Sequence, residues 1–155
     1  MRRILVPGLL FVVSCSLLVA WLLTRPQPTG PNIDPAVKEF VDRWKSELKQ
    51  EGLDPERPLL KVTRIEFAKL NDEFAGVSCP RAGRVWINSR QKRAGYYRTL
   101  CTVYHELGHS LFGLEHGSCE IMQERCPTEE YLRQNWVQLS KEYINQCKGV
   151  YSVVK

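Results

Sequence analysis

The sequence predicts an α+β domain with a small mixed sheet and three main helices, preceded by an apolar segment at the N-terminus. In three segments apolar residues recur at three- and four-residue spacing, which is typical of helices that cover a core. Between the first and second of these helical segments lie short segments with β-branched and aromatic residues, a composition that is typical of strands. Because the strands are grouped together and do not alternate with helices, this order favours α+β.

Two arginines and then twenty residues without a formal charge, Ile4 to Leu23, open the chain. A positive start before an apolar run is typical of export and anchor signals. Twenty helical residues, at ~1.5 Å each, would also cross a hydrocarbon core of about 30 Å. Residues 1–24 therefore predict a signal or membrane anchor that leaves the domain facing the periplasm or extracellular space. Three alternatives stay open: a transmembrane anchor, a lipoprotein acylated at Cys15, and a cleaved signal.

Residues 25–33 are rich in proline and predict a stiff linker. Residues 34–155 then remain for one domain with a single modest core. The chain has 22 Lys and Arg against 17 Asp and Glu. Without Arg2 and Arg3 the excess is three positive charges, which does not indicate a nucleic-acid partner, and we expect none.

Five cysteines follow Cys15, and they fit an oxidising compartment in which four could pair. Cys119 and Cys126 bracket a short loop, and Cys147 lies on the predicted last helix. A bridge among these three is the hypothesis we favour. Cys101 is predicted to be buried or bridged.

The first predicted helix begins at Asp34, a good N-cap residue, has Pro35 in its first turn and ends before Gly52. Alternating or β-rich segments at 61–67, 74–80 and 84–88 predict three strands, the last two joined as a hairpin by 81–83. Residues 89–98 lead into a long second helix. The last helix is predicted from about Thr128 to Cys147 with an apolar stripe, namely Leu132, Trp136, Leu139 and Tyr143.

All three histidines of the chain, His105, His109 and His116, lie within twelve positions. On a helical wheel of about 100° per residue, His105 and His109 fall on one face, about 40° apart. The opposite face is apolar and consists of Leu100, Val103, Tyr104, Leu107, Leu111 and Leu114. The wheel puts Glu106 beside the histidines, and we expect it to flank that face without being buried.

Residues 105 to 109 form a His-Glu-x-x-His motif, which brings two imidazoles within reach of one Zn²⁺ and a glutamate beside them as general base. Gly113 can end the helix, so that His116 in the following loop supplies a third ligand and leaves one position open for water. Glu115 is the competing third ligand, because carboxylates also bind zinc.

This segment resembles the metzincin zinc peptidases, whose signature is His-Glu-x-x-His-x-x-Gly-x-x-His followed by a methionine-containing turn. Here Gly113 and His116 both come one residue late, which we interpret as a helix extended by one residue. The resemblance implies that Met122 lies in an apolar floor beneath the ligands. It also implies that residues 75–79 form the strand along the substrate cleft.

Some metzincins carry a tyrosine just after the methionine-containing turn, whereas here Gln123 and Glu124 follow Met122. Candidate replacements for that tyrosine are Tyr131, Tyr96 and Tyr97.

The predicted function is a zinc-dependent endopeptidase, in which one Zn²⁺ held by His105, His109 and His116 activates water and Glu106 is the general base. Its partners would be a peptide or protein substrate and, through the N-terminal segment, a membrane. Two other classes stay open. One is a deformylase-like zinc hydrolase that uses an upstream cysteine, Cys79 or Cys101. The other is a non-catalytic zinc-binding protein of the cell envelope.

Overall fold

Four helices and a four-stranded mixed sheet form an α+β fold in residues 30–153, the part of the chain that the computed structural model describes. The helices are α1 Pro35–Gln50, α2 Glu56–Leu59, α3 Tyr96–Leu107 and α4 Glu129–Val153. The strands are β1 Asn32–Ile33, β2 Arg64–Ala68, β3 Gly76–Cys79 and β4 Arg84–Asn88. The predicted α+β class with three main helices is thus confirmed, and α2 adds a single short turn.

The predicted signal or anchor, residues 1–24, lies outside the described residues. Within residues 30–153, every helix is too short or too polar to span a bilayer.

The sheet has the order β1-β2-β4-β3, with the first three strands parallel and β3 antiparallel to β4. The β3–β4 hairpin is therefore as predicted. Three residues in a 3₁₀ turn and Gly83, at φ 62°, reverse the chain between its strands. As the last strand in the order, β3 hydrogen-bonds to β4 on one side only among the described strands.

The core lies between the sheet and the helices, and α3 runs through its centre. α3 contacts β3 and β4 on one side and α4 on another, while α1 contacts β2 and α3. Trp44 of α1 is fully buried and its indole N–H donates to the hydroxyl of Tyr143 on α4, 3.3 Å away. The predicted apolar stripes of α1, α3 and α4 are all buried, as expected from their helical spacing.

The N-terminus of α3 is held by a carboxylate from α4. Glu129 accepts hydrogen bonds from the backbone amides of Tyr97 and Arg98, at 3.1 and 2.8 Å. These amides have no partner within the helix, and a negative charge at this end is also favoured by the helix dipole. Gly95 precedes the helix at φ 113°, and a Cβ there would lie 2.4 Å from the Glu129 carboxylate. Glu129, in the first turn of α4, therefore holds the N-terminus of α3, the helix that carries His105 and is called the histidine helix below.

Several boundaries differ from those predicted. The predicted linker, 25–33, ends in β1, whose two residues pair with β2. The strand predicted at 61–67 begins only at Arg64, because the chain is still turning at Lys61 and bends at Thr63. The last helix continues six residues beyond Cys147, where the partly buried Val150 and Tyr151 pack against the core.

The five cysteines of residues 30–153 are free thiols in this structure. The bridge predicted among Cys119, Cys126 and Cys147 is therefore not present. Cys126 instead contacts Cys101, which lies buried on α3 as predicted. The loop that carries Cys126 folds back on α3, a contact that sequence spacing does not reveal.

The N-cap of α1 offers a test of the local structure, because the Asp34 carboxylate accepts from the amide of Ala36 at 2.9 Å. We expect Asp34→Ala to lower the free energy of unfolding by about 1 kcal/mol. Asp34→Asn, which keeps an accepting oxygen, should cost much less. Urea unfolding followed by tryptophan fluorescence measures both, and equal losses for the two variants would contradict this capping role.

Candidate metal centre

The three histidines reach one point from two parts of the chain. His105 lies in the last turns of α3 and His109 in the turn that follows, while His116 comes from the loop after Gly113. His105 and His109 are partly buried and His116 is exposed. The helix presents the first two away from its buried apolar stripe, as the wheel predicts.

A π-helical turn, Gly108–Phe112, continues α3 beyond Leu107. Such a turn has hydrogen bonds that span five residues in place of four, and it accommodates one additional residue within a helix. Gly113 ends the helix at φ 63°, and the Leu114 amide donates to the carbonyl of Gly108 at 3.1 Å. The chain reverses there, so His116 returns toward His105 despite the longer spacing between His109 and His116.

Backbone carbonyls orient the two helical imidazoles. His105 Nδ1–H donates to the carbonyl of Ile121 at 2.9 Å, and His109 Nδ1–H donates to that of Leu114 at 2.6 Å. A carbonyl oxygen can only accept, so the proton of each neutral ring is on Nδ1 and the lone pair is on Nε2. Both accepting carbonyls belong to the loop that carries His116.

The Nε2 atoms of the three rings converge. His105 Nε2 lies 3.0 Å from His109 Nε2 and 3.2 Å from His116 Nε2. Burial lowers the pKa of His105 to about 4 and also lowers that of His109, and both shifts favour the neutral imidazole. Two neutral nitrogens whose lone pairs face each other at this distance repel, and a shared cation removes that repulsion. Among residues 30–153, these histidines are the only three potential ligands grouped closely enough to hold one metal ion.

Glu106 is buried, and the expectation that it would flank the histidine face without burial is wrong. Only 6% of the residue is exposed. Strand β3 covers it, and a Cβ at Gly76 would lie 2.7 Å from its Cγ atom. Burial raises the pKa of Glu106 to about 7, while the Ser78 hydroxyl and backbone beside it act in the opposite direction. The wheel describes α3 alone and so gives no sign of the strand that covers Glu106.

Met122 is fully buried and packs against Gly108, the residue before His109. It ends the short 3₁₀ turn Glu120–Met122, and its carbonyl accepts from the Gly117 amide at 3.0 Å. Its sulfur lies so close to Gly108 that a Cβ there would be 2.7 Å from Sδ. Glycine next to His109 thus allows the loop to pack directly under the helix.

The other candidate residues lie elsewhere. The Glu115 side chain is exposed and takes no part in the histidine cluster, and neither do the thiols of Cys79 and Cys101. Tyr96 and Tyr97 stack on Phe40 and Trp136, whereas Tyr131 is exposed beside Glu120.

Sequence reasoning missed the two carbonyls that orient the rings and the Gly76–Ser78 segment above Glu106. Carbonyls leave no signal in a sequence. A glycine at the start of a short strand does suggest close approach by another group.

Comparison of the chain with protein-family models, curated proteins and solved structures gives no match.

The contact between Met122 and Gly108 predicts that Gly108→Ala destabilises the domain. Alanine favours helix over glycine, but the new Cβ would overlap the Met122 sulfur and lie 3.2 Å from Tyr143. We expect a loss of about 1–3 kcal/mol in the free energy of unfolding. Gly149→Ala is the matched control, because nothing lies within 4 Å of a Cβ there, and it should stabilise α4 by up to ~1 kcal/mol. Urea unfolding of both variants measures this, and a stabilised Gly108→Ala would refute the packing argument.

Proposed function

We propose that this protein is a zinc-dependent endopeptidase. The observation that carries the proposal is the convergence of three imidazole Nε2 atoms at 3.0 and 3.2 Å, two of them with Nδ1 committed to backbone carbonyls. Imidazoles whose second nitrogen is held by a carbonyl are typical of metal ligands.

The residues fit zinc in their chemistry and spacing. Zn²⁺ binds imidazole nitrogen at about 2.1 Å with tetrahedral geometry, so two such ligands lie about 3.4 Å apart. The separations of 3.0 and 3.2 Å are close to this value. Three protein ligands leave the fourth position open, which is typical of catalytic zinc and not of structural zinc. His116, and not Glu115, is the third ligand in this proposal.

When bound, Zn²⁺ supplies a Lewis acid that polarises a substrate carbonyl and lowers the pKa of water toward 7. Glu106 follows His105 directly and is the general base of the proposal. Its carboxylate takes the proton of the attacking water and passes it to the leaving amine. A pKa near 7 suits both halves of that transfer, because the group must accept the proton and then release it. Strand β3 shields the carboxylate from bulk water.

The domain is further proposed to be a minimal metzincin-like zincin. Supporting this are the antiparallel edge strand β3 over Glu106 and the buried Met122, which packs against the helix at Gly108, next to His109. An extended peptide could add to the open edge of β3 through main-chain hydrogen bonds. A deformylase-like site would need a cysteine ligand, and Cys79 and Cys101 lie outside the cluster. The apolar run from Ile4 to Leu23, after Arg2 and Arg3, supports anchoring on the outer side of a membrane.

The metal content of the full-length chain tests the three-histidine site. We expect one zinc per chain by elemental analysis, and binding weakened more than about a hundredfold in His116→Ala, which removes one of three ligands. Glu115→Ala is the control and should bind zinc as the wild type does. Zinc that depends on Glu115 and not on His116 would reverse the assignment of the third ligand, and a wild type without zinc would refute the site.

Catalysis is tested at Glu106. Glu106→Gln keeps the shape of the side chain but cannot accept the proton, so we expect kcat to fall by about 10²–10⁴-fold with zinc still bound. Glu115→Gln makes the same change at an exposed neighbour and should retain activity. Hydrolysis of a quenched-fluorescent peptide library measures this. Full activity in Glu106→Gln would disprove its role as base, and a zinc-loaded wild type that cleaves no peptide would favour the non-catalytic alternative.

A further inference from the structure

A pocket of about 590 Å³ includes in its lining Glu124, whose carboxylate lies near His116. Ala75, directly before β3, lines one side, and residues 124–126 line another. Among these, Glu124 has its Oε1 atom 4.0 Å from His116 Nδ1. The pocket therefore borders the proposed metal centre at the point where the edge strand begins.

Four arginines line this pocket, and we refer to it as the arginine pocket. They are Arg90, Arg93, Arg98 and Arg125. Two carboxylates, those of Glu73 and Glu124, share the lining, so the pocket has an excess of two positive charges. A cleft with charges of one sign in excess concentrates ligands of the opposite sign.

Three of the four guanidinium groups have no carboxylate within 4.0 Å among residues 30–153. Arg90 lies 3.4 Å from Asp72, whereas Arg93, Arg98 and Arg125 form no ion pair in that range. The nearby carboxylate of Glu129 is occupied by two backbone amides. Arg98 also has a buried Nε–H without a hydrogen-bond partner, and a buried donor of this kind is costly unless a ligand satisfies it.

The arginine pocket lies within reach of a substrate that would be cleaved at the histidines. Arg98 precedes His105 by seven residues, or two turns, on the same face of α3. The two positions are thus about 10 Å apart along the helix. An extended peptide rises about 3.3 Å per residue, so this distance corresponds to about three substrate residues.

We propose that the arginine pocket is the subsite that binds an acidic side chain of the peptide substrate, within about three residues of the scissile bond. The inference rests on the proposed peptidase function and adds its substrate class: peptides with Asp or Glu on one side of the cleaved bond. Arginine binds carboxylates through paired N–H groups in a fixed plane, which gives such a subsite both affinity and orientation.

A single carboxylate fits this pocket better than an extended anionic surface does. Glu73 and Glu124 lie among the arginines, and their carboxylates would repel the negative charges of a membrane or polyanion that covered the whole pocket. One acidic side chain can contact the arginines that lack a carboxylate partner and avoid both glutamates. The glutamates thus favour a small anion over a broad one.

Binding can be measured without turnover. The probes are fluorescein-labelled, C-amidated alanine hexapeptides with Glu scanned through the six positions, each compared with its Gln counterpart. The protein is the full-length, zinc-loaded Glu106→Gln variant, and anisotropy gives Kd. We expect the Glu form to bind at least about tenfold more tightly than the Gln form in one or two neighbouring registers. Arg93→Gln and Arg125→Gln should each reduce that ratio, and Arg81→Gln, at the other end of β3, is the control that should not.

The outcomes separate this inference from the peptidase proposal. Equal binding of Glu and Gln peptides in all registers would overturn the subsite, even if the wild type hydrolyses peptides. A Glu preference that depends on Arg93 and Arg125, in a protein whose wild type hydrolyses nothing, would support binding of an acidic side chain in the arginine pocket and refute the peptidase. If the arginine substitutions weaken only binding to phosphatidylglycerol vesicles, the arginines face a membrane and the proposal is wrong.

Discussion

The loop from Gly113 to Met122 and the histidine helix depend on each other through two hydrogen bonds, in which His105 and His109 donate Nδ1–H to carbonyls of that loop. The same bonds determine which nitrogen of each ring carries a lone pair and where that lone pair points. Because the loop also carries His116, its position relative to the helix sets all three Nε2 atoms at once. Packing of Met122 against Gly108 closes the arrangement from below.

The environment of Glu106 is determined by strand β3, and not by the loop that carries His116. The edge strand β3 passes over it at Gly76, where any larger residue would collide with the carboxylate-bearing side chain. Burial under this strand raises its pKa to about 7, which would suit the proposed role as general base. The strand would have two roles in the proposed reaction, since it buries the base and offers its open edge to an extended peptide.

The arginine pocket extends this arrangement along the first turns of α3. Glu129 holds the start of the helix by accepting from the backbone amides of Tyr97 and Arg98. The helix thereby connects two kinds of site, a set of neutral nitrogen donors near its end and a positive cleft near its beginning. A substrate lying along β3 would meet both, and this would link the proposed place of cleavage to the proposed preference for acidic peptides.

The sequence by itself determined the periodic elements, since helical spacing placed the buried stripes of α1, α3 and α4, and β-rich segments placed the strands β2 to β4. It also singled out the histidines, whose motif is local: His105 and His109 are one helical turn apart in any α-helix. Only the tertiary structure decided the burial of Glu106, the position of β1, the contact of Cys126 with Cys101 and the grouping of four arginines from separate segments. These features depend on contacts between residues far apart in the chain. The periodicity of a segment predicts which of its faces is buried, but not which other segment packs against that face.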